Sequence, residues 1–146
     1  MARPKDYRDL IVWQKAMALA RSAYAQTAGL PKSEAYGLLA QIRRAAISVP
    51  SNIAEGHGRL TDLQFRHFLG NARGSVYELR TQFELAAELG YIGQESVLQL
   101  MEQSAEVARL LNGLIAVLHT DGGERSLTSS ANPASSANSA YKGNSR

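Results

Sequence analysis

Four stretches of the chain place apolar residues at alternating spacings of three and four, the pattern of helices that bury one face in a bundle. The stretches run from about residue 9 to 28, 33 to 55, 61 to 89 and 94 to 119. Segments containing glycine or proline separate them, and such residues end helices. Because short turns join antiparallel neighbours, the sequence predicts an all-α, up-down-up-down four-helix bundle.

Each predicted helix has a seam of apolar residues that should face the core. These seams are Leu10, Trp13, Met17, Ala20 and Tyr24 in the first helix, Leu39, Ile42, Ala46, Val49 and Ile53 in the second, Phe65, Phe68, Leu69, Ala72, Val76, Leu79, Phe83 and Ala86 in the third, and Val97, Met101, Ala105, Ala108, Leu111, Ile115 and Leu118 in the fourth. Asp9 is expected to cap the first helix. Thr61, with Gln64 at the capping-box position, is expected to cap the third.

The second helix carries a proline and a second, polar face. Pro50 has no N–H and clashes with the carbonyl four residues back, so it should kink the helix or end it locally. The polar face comprises Gln41, Arg44, Ser48, Asn52 and Glu55. Two interpretations stay open: an intrachain network that satisfies the groups freed by Pro50, or an interface that sets the register between protomers.

The segment QIRRAAISVPSNIAEGHGR, residues 41–59, resembles the hallmark of the bacterial four-helix bundle proteins of the 23S rRNA intervening-sequence family. Upstream, DLIVWQKAMALARSAY and LPKSEAYGLL are similar to that family's opening, and FRHFLGNARGSVYELRTQFELAAELGYI is similar to its third helix. The resemblance covers residues 7 to 118. The positions that match the hallmark are Glu34, Gly37, Gln41, Arg43, Arg44, Ser48, Pro50, Asn52, Glu55 and Gly56.

This resemblance implies a partner and leaves the biochemical role open. Family members of known structure form ring-shaped homopentamers, which implies that the chain's partner is itself and that the hallmark residues are architectural or interfacial. The family is related to the accessory variability protein of diversity-generating retroelements, a pentameric bundle that binds nucleic acid through a basic surface. The resemblance therefore implies a structural or interaction protein, with an RNA- or nucleic-acid-binding accessory protein as the alternative.

Composition narrows the classes of chemistry that the chain could perform. Without cysteine there is no disulfide, thiolate metal site or cysteine nucleophile. His57, His67 and His119 include no pair at the i, i+4 spacing of a helical zinc site. No signal-type or membrane-length apolar run occurs. We therefore expect a cytoplasmic protein that is not an enzyme and has no catalytic residues, cofactor, metal, small-molecule substrate or membrane partner.

The net charge of +3 is small for a dedicated nucleic-acid-binding protein. Arg59, Arg66 and Arg73 nevertheless repeat every seven residues, which places the last two about 20° apart around the third helix. Together with Arg43, they are the candidate contacts to nucleic acid if an assembly gathers them onto one rim. The alternative is an ordinary solvated helix surface shared with acidic residues.

The C-terminal tail and two groups of glycines carry further predictions. From residue 120 the chain becomes rich in Ser, Ala, Asn and Gly, so residues 1–119 should form the bundle and 120–146 a disordered tail. Gly70 and Gly74 favour a tight crossing of two helices over a ligand pocket. The run Gly56–Arg59 favours a helix end over a phosphate-binding turn.

Overall fold

The computed structural model describes residues 4–121, with side chains described as far as residue 118. Its helices are α1 (Ile11–Thr27), α2 (Leu38–His57), α3 (Asp62–Glu88) and α4 (Gln94–Asp121), and short 3-10 turns lie at Tyr7–Asp9 and Lys32–Glu34. No described residue lies in a strand. The prediction of an all-α four-helix bundle is confirmed. The predicted disordered tail lies outside the described residues except for its first two, which continue α4.

The four helices pack in a closed ring of neighbours. The packed pairs are α1 with α2, α2 with α3, α3 with α4, and α4 with α1, and the pair α2 and α3 is the most extensive. Across the described residues, the diagonal pairs do not pack against each other. Because each helix is antiparallel to the next along the chain, the α1–α2 and α3–α4 turns share one end of the bundle. None of the described helices is long and apolar enough to cross a membrane.

In α3, the residues that face the core are those that the spacing predicts. Seven of the eight residues in its predicted seam are buried, and Phe68 is half-buried at the edge facing α2. In α2 the predicted seam is buried apart from the half-buried Leu39, and Ala45, Pro50 and Gly56 join it. In α4 the buried residues include members that the prediction left out, namely Leu100, Ser104 and Val107.

The predicted seam of α1 is wrong in its rotation, although its first member, Leu10, is buried as predicted. The residues that α1 buries are Val12, Ala16, Leu19, Ala23 and Thr27. Trp13, Met17 and Ala20 are only partly buried, and Tyr24 is 36% exposed. Both sets keep helical spacing, so α1 is apolar over a wide arc. Spacing cannot tell which part of such an arc faces the core.

Helix ends agree with the capping chemistry in one case and differ in two. Thr61 Oγ1 accepts a hydrogen bond from the Gln64 N–H at 3.2 Å, as predicted for the start of α3. Asp9 does not cap α1, because it lies in a 3-10 turn and Leu10 precedes the helix. The second helix begins at Leu38 instead of near Ser33, because a separate 3-10 turn occupies the predicted start.

Pro50 does not end α2. The helix continues through it from Leu38 to His57, and Pro50 is buried. The missing N–H leaves the carbonyl of Ala46 without its usual partner four residues on. The helix tolerates this loss because packing against neighbouring helices supplies most helical stability in proteins.

Glycines end both α2 and α3, and one further glycine of α2 allows close packing. Gly90 has a φ of +77°, and its N–H bonds the carbonyl of Ala87 while that of Tyr91 bonds Ala86, which is a Schellman motif. The run Gly56–Arg59 ends α2 as predicted, since the helix stops at His57 and Gly58 is its C-cap, while Gly56 itself is buried in the last turn. A Cβ on Gly56 would lie 2.6 Å from Cβ of Phe68. Gly56 therefore sets how closely α2 approaches α3.

The expectation of a tight crossing at Gly70 and Gly74 is wrong within the chain. A Cβ at either position would meet nothing within 4 Å, so both glycines face open space on the outside of α3. Ala72, between them in sequence, is fully buried. The close approach of helices belongs to Gly56 and to the small residues Ala45, Ala46 and Ala72, which lie in the interior.

Candidate interaction surfaces

The polar face of α2 lies against α3. The hydroxyl groups of Ser48 and Ser75 are 2.8 Å apart across the two helices, and the Asn52 amide donates to the Ser48 carbonyl at 2.8 Å and to its hydroxyl at 2.9 Å. All three residues are partly buried. The Asn52 amide does not reach the Ala46 carbonyl that Pro50 frees. The cluster therefore joins α2 to α3 and does not repair the helix.

The charged members of this face make contacts near solvent. Arg44 donates to the Gln41 side chain and lies 3.9 Å from the Glu78 carboxylate of α3. Glu55 pairs with Arg59 at 3.0 Å. The side chains of Arg44 and Glu78 are 71% and 45% exposed, so their attraction contributes little to stability. These contacts lie within one chain but do not satisfy the carbonyl freed by Pro50, so both interpretations of this face stay predictions.

The hallmark position Glu34 holds the start of α2. Its Oε1 accepts the N–H of Leu38 at 3.4 Å, and a Cβ on Gly37 would lie 2.7 Å from that same oxygen. A carboxylate at a helix N-terminus also interacts favourably with the helix dipole. Glu34 and Gly37 thus act as a pair, one capping the helix and the other leaving room for the cap.

An open groove of about 810 Å³ runs between α1 and α2. Its walls are mostly apolar: Trp13, Met17, Ala20, Tyr24 and Ala25 come from α1, and Ile47, Pro50 and Ala54 from α2, with Tyr7, Arg21 and Ser51 at the edges. The part of the α1 arc that was expected to fill the core therefore lines this groove. Ile47 is 50% exposed within it.

Arg43 and Arg44 are adjacent in sequence but lie on different sides of α2. The Arg43 guanidinium stacks over the Tyr24 ring at 4.9 Å, at the edge of the α1–α2 groove. Its Nε atom is buried and has no hydrogen-bond partner among the described residues. Arg43 is therefore separated from Arg59, Arg66 and Arg73, with which it was predicted to form one surface.

The first described residues close the other end of the groove. Tyr7 meets the ring of Trp13 edge-on, with centroids 5.3 Å apart, and the carbonyl of Pro4 lies 2.5 Å from Nε2 of His57. Asp6 forms a bidentate pair with Arg8, and this hydrogen bonding lowers the pKa of Asp6 to about 2. The carboxylate therefore stays charged at any ordinary pH.

The three arginines at heptad spacing do come together. Arg59, Arg66 and Arg73 line one groove of about 710 Å³ on the outside of α3, with Leu63, Gln64, His67, Phe68, Gly70, Asn71 and Ile115. No lining residue is acidic. Gly70, which has no side chain to fill it, forms the floor of this basic groove.

Each of these arginines is held differently. Arg59 stacks over the ring of Phe68 at 4.7 Å and pairs with Glu55. Arg73 donates to the Asn112 side chain of α4 at 3.0 Å, which is a neutral partner. The Nε atom of Arg66 is buried without a hydrogen-bond partner in the described part of the chain.

The heptad spacing continues to Arg80, which was not among the predicted contacts. Arg80 donates to the carbonyl of Met101 at 2.9 Å and to the hydroxyl of Ser104 at 3.0 Å. Ser104 is fully buried, so Arg80 is an anchor between α3 and α4. The seven-residue repeat could have identified Arg80 in the sequence, but not that its charge is used inside the bundle.

Similarity to known proteins identifies the fold and the family of this chain. No curated protein sequence matches it significantly. A crystal structure of a protein with unknown function from the S23 ribosomal protein family of Bacteroides thetaiotaomicron has the same fold, with a TM-score of 0.67 and 24% sequence identity; the match covers 72% of this chain and 98% of that one. The family model described as 23S rRNA-intervening sequence protein matches residues 8–113. The chain therefore belongs to the 23S rRNA-intervening sequence protein family.

Proposed function

We propose that this protein is a non-enzymatic interaction protein that assembles with copies of itself, with the α1–α2 groove as a contact surface. The observation that supports this most strongly is the second apolar face of α1. Trp13, Met17, Ala20 and Tyr24 follow the 4, 3, 4 spacing of a coiled-coil seam, yet the bundle leaves them at an open groove.

The opposite wall of the groove continues the same pattern. Ile47, Pro50 and Ala54 follow a 3, 4 spacing along α2. Two helices that present heptad-spaced apolar residues to one groove form a surface into which another helix can pack. A contiguous apolar surface of this kind marks an interaction site more often than a solvated face. A ring of five subunits is the assembly we propose, in line with the resemblance to ring-forming bundle proteins.

Introducing a charge at Ile47 is expected to dissociate the assembly. Light scattering on the wild-type protein should give a mass about five times the 15.8 kDa of the chain, whereas Ile47→Glu should give the single-chain mass. The helical circular dichroism spectrum should be unchanged, because Ile47 is half exposed and the core does not depend on it.

Leu60→Glu is the matched control for this experiment. Leu60 is 96% exposed in the turn between α2 and α3, outside the groove, and the substitution introduces the same charge. This variant should keep the wild-type mass. A wild-type protein that stays a single chain at high concentration would refute self-assembly, and an Ile47→Glu variant of undiminished mass would refute the groove as its site.

Nucleic-acid binding is the second candidate function, and the basic groove supports it. Arg59, Arg66 and Arg73 line one surface without an acidic residue, and Arg73 has a neutral hydrogen-bond partner. Such a surface fits a chain of phosphates, whose binding depends on counterion release. Under this second candidate function, the protein is an RNA-binding accessory protein that is linked to rRNA intervening sequences or to a retroelement-like system.

Removing Arg66 and Arg73 tests this candidate. The affinity of the wild-type protein for a mixed-sequence single-stranded RNA should fall steeply with salt. In the double variant Arg66→Ala/Arg73→Ala, the slope of log affinity against log salt should be smaller by about 1.4, because one phosphate contact is lost per arginine and each contributes about 0.7 on a single strand. Fluorescence anisotropy across a salt series measures both slopes.

The double variant Lys15→Ala/Arg44→Ala controls for net charge. It removes the same two positive charges from other faces, where Lys15 pairs with Glu106 and Arg44 lies near Glu78. Its RNA affinity should stay near that of the wild type. Equal losses in the two double variants would show a general effect of charge, and salt-independent binding by the wild-type protein would contradict a phosphate contact.

A further inference from the structure

The basic groove has two walls with a gap between them. On the side of α4, Arg73 donates to the Asn112 side chain. On the side of α2, Phe68 packs so closely that a Cβ on Gly56 would lie 2.6 Å from its own Cβ. At 100° per residue, Gly70 falls on the outer arc of α3 between these two sides. Because Gly70 has no side chain and faces open space, the gap is empty.

Arg59 gives the α2 side of the groove a flat surface in a fixed position. Its guanidinium lies over the Phe68 ring at 4.7 Å, and its Nη2 atom donates to the Glu55 carboxylate at 3.0 Å. The Arg59 side chain nevertheless remains 44% exposed. Guanidinium planes and aromatic rings are the groups on which proteins stack the unpaired bases of RNA. Arg59 and Phe68 together therefore offer a stacking surface for a base.

Arg66 and Arg73 supply positive charge at two separate positions on the α4 side. They are seven residues apart, which corresponds to about 10.5 Å along α3. Each arginine can therefore contact its own phosphate group. The Nε atom of Arg66 is buried and has no hydrogen-bond partner among the described residues, and no residue lining the groove is acidic. The groove thus combines two phosphate positions with a stacking surface across an empty gap.

We propose that the basic groove holds one unpaired nucleotide of a single-stranded RNA, with the phosphates on either side of it at Arg66 and Arg73 and its base above Gly70 against Arg59. This inference rests on the proposed nucleic-acid binding and adds which part of the RNA the groove recognises. A duplex cannot make this contact, because its paired bases are stacked inside the helix and present only their edges. Charge alone would give the opposite preference, since a duplex has the higher charge density.

The charges further along α3 limit the contact to a short stretch of RNA. Beyond Arg73, every exposed charged residue of α3 is acidic, namely Glu78, Glu84 and Glu88. These carboxylates repel phosphates, so a strand cannot follow α3 towards the α3–α4 turn. The strand instead crosses α3 near Gly70, and one nucleotide passes over the gap between the walls.

Gly70→Leu tests the base contact, because the side chain fills the gap and leaves every charge in place. By fluorescence anisotropy, the wild-type protein should bind a short single-stranded RNA more tightly than the same strand annealed to its complement. It should also bind that strand more tightly than an abasic strand of equal length. The substitution should lower the affinity for the single strand about tenfold, to that of the abasic strand, as expected when one base contact is lost. The salt slope should not change, because the phosphate contacts remain.

Gly74→Leu is the matched control for this substitution. Gly74 also lies on the outside of α3, where a Cβ would meet nothing within 4 Å, but it does not line the basic groove. This variant should bind the single strand as the wild-type protein does. A second variant, Arg59→Lys, keeps the positive charge but removes the planar guanidinium, so it should weaken single-strand binding without changing the salt slope.

The other outcomes separate the base contact from nucleic-acid binding in general. Equal wild-type affinities for the single strand and the duplex would overturn the unpaired nucleotide while leaving nucleic-acid binding intact. Equal losses in Gly70→Leu and Gly74→Leu would do the same. A wild-type protein that binds none of these strands at low salt would overturn both proposals.

Discussion

Gly56→Ala is expected to destabilise the protein, although alanine is the better helix former. The added Cβ would lie 2.6 Å from Cβ of Phe68, 3.0 Å from the Phe65 ring and 3.3 Å from the Phe65 carbonyl. Neither a Cβ nor a backbone carbonyl can move aside without shifting α3. Overpacking of this kind costs about 1–3 kcal/mol, more than the roughly 1 kcal/mol that alanine contributes to helix propensity.

Gly70→Ala is the matched substitution with the opposite expected sign. Gly70 also lies within a helix, but its Cβ would enter open space. The free energy of unfolding should rise by about 0.8–1 kcal/mol through helix propensity. Urea unfolding followed by circular dichroism measures both variants. Equal shifts in the two midpoints would contradict the close approach of α2 and α3 at Gly56.

Phe83→Ala should cause the largest loss of stability among the changes considered for the folded chain. Phe83 is fully buried on α3, in the seam that faces the core. Removing a buried phenyl ring forfeits its transfer free energy and leaves a cavity, which together cost about 3–5 kcal/mol. In urea, the unfolding midpoint should fall strongly while the slope of the transition stays constant.

Leu85→Ala serves as the control for Phe83. It lies two residues further along the same helix and is 44% exposed, so its truncation removes apolar contact without opening a cavity. Its effect on the free energy of unfolding should stay within about 0.5 kcal/mol, as for most surface positions. A loss at Leu85 comparable with that at Phe83 would mean that a second copy covers this part of α3.

Spacing in the sequence predicts the buried face of a helix only where the apolar residues form a narrow stripe. In α3 the apolar residues form one narrow stripe, and the stripe from Phe65 to Ala86 is the face that packs. In α1 the apolar arc is wide, and spacing gave equal support to Trp13 and Met17 as to Ala16 and Leu19. What decided the outcome is which part of the arc faces the neighbouring helices, and spacing along α1 does not contain that information.

Sequence spacing identified the basic groove but could not assign its members. The seven-residue repeat brought Arg59, Arg66 and Arg73 to one surface, as expected for residues on one side of a helix. The same repeat contains Arg80, whose charge is instead bound by a carbonyl and a hydroxyl of α4. Arg43 was grouped with them, yet it lies beside α1. Both distinctions depend on which helix is the neighbour, and a single sequence does not contain that information.

The glycines show the same limit. Gly56, Gly70 and Gly74 are equivalent by propensity, since each weakens a helix by a similar amount. They differ only in their neighbours. Gly56 lies against Phe65 and Phe68 of α3, whereas Gly70 and Gly74 face open space. The sequence shows that each glycine weakens its helix, but the packing that accounts for Gly56 is visible only in the structure.

The second apolar face of α1 links folding to the number of molecules present. In a single chain, water contacts Trp13, Met17 and Tyr24 along the groove. An association that covers them adds stability by mass action, so the melting temperature becomes a function of protein concentration. Under the proposed assembly, dilution exposes these side chains to water and lowers the stability of α1. The amount of the protein in the cell would then determine how firmly its first helix is held.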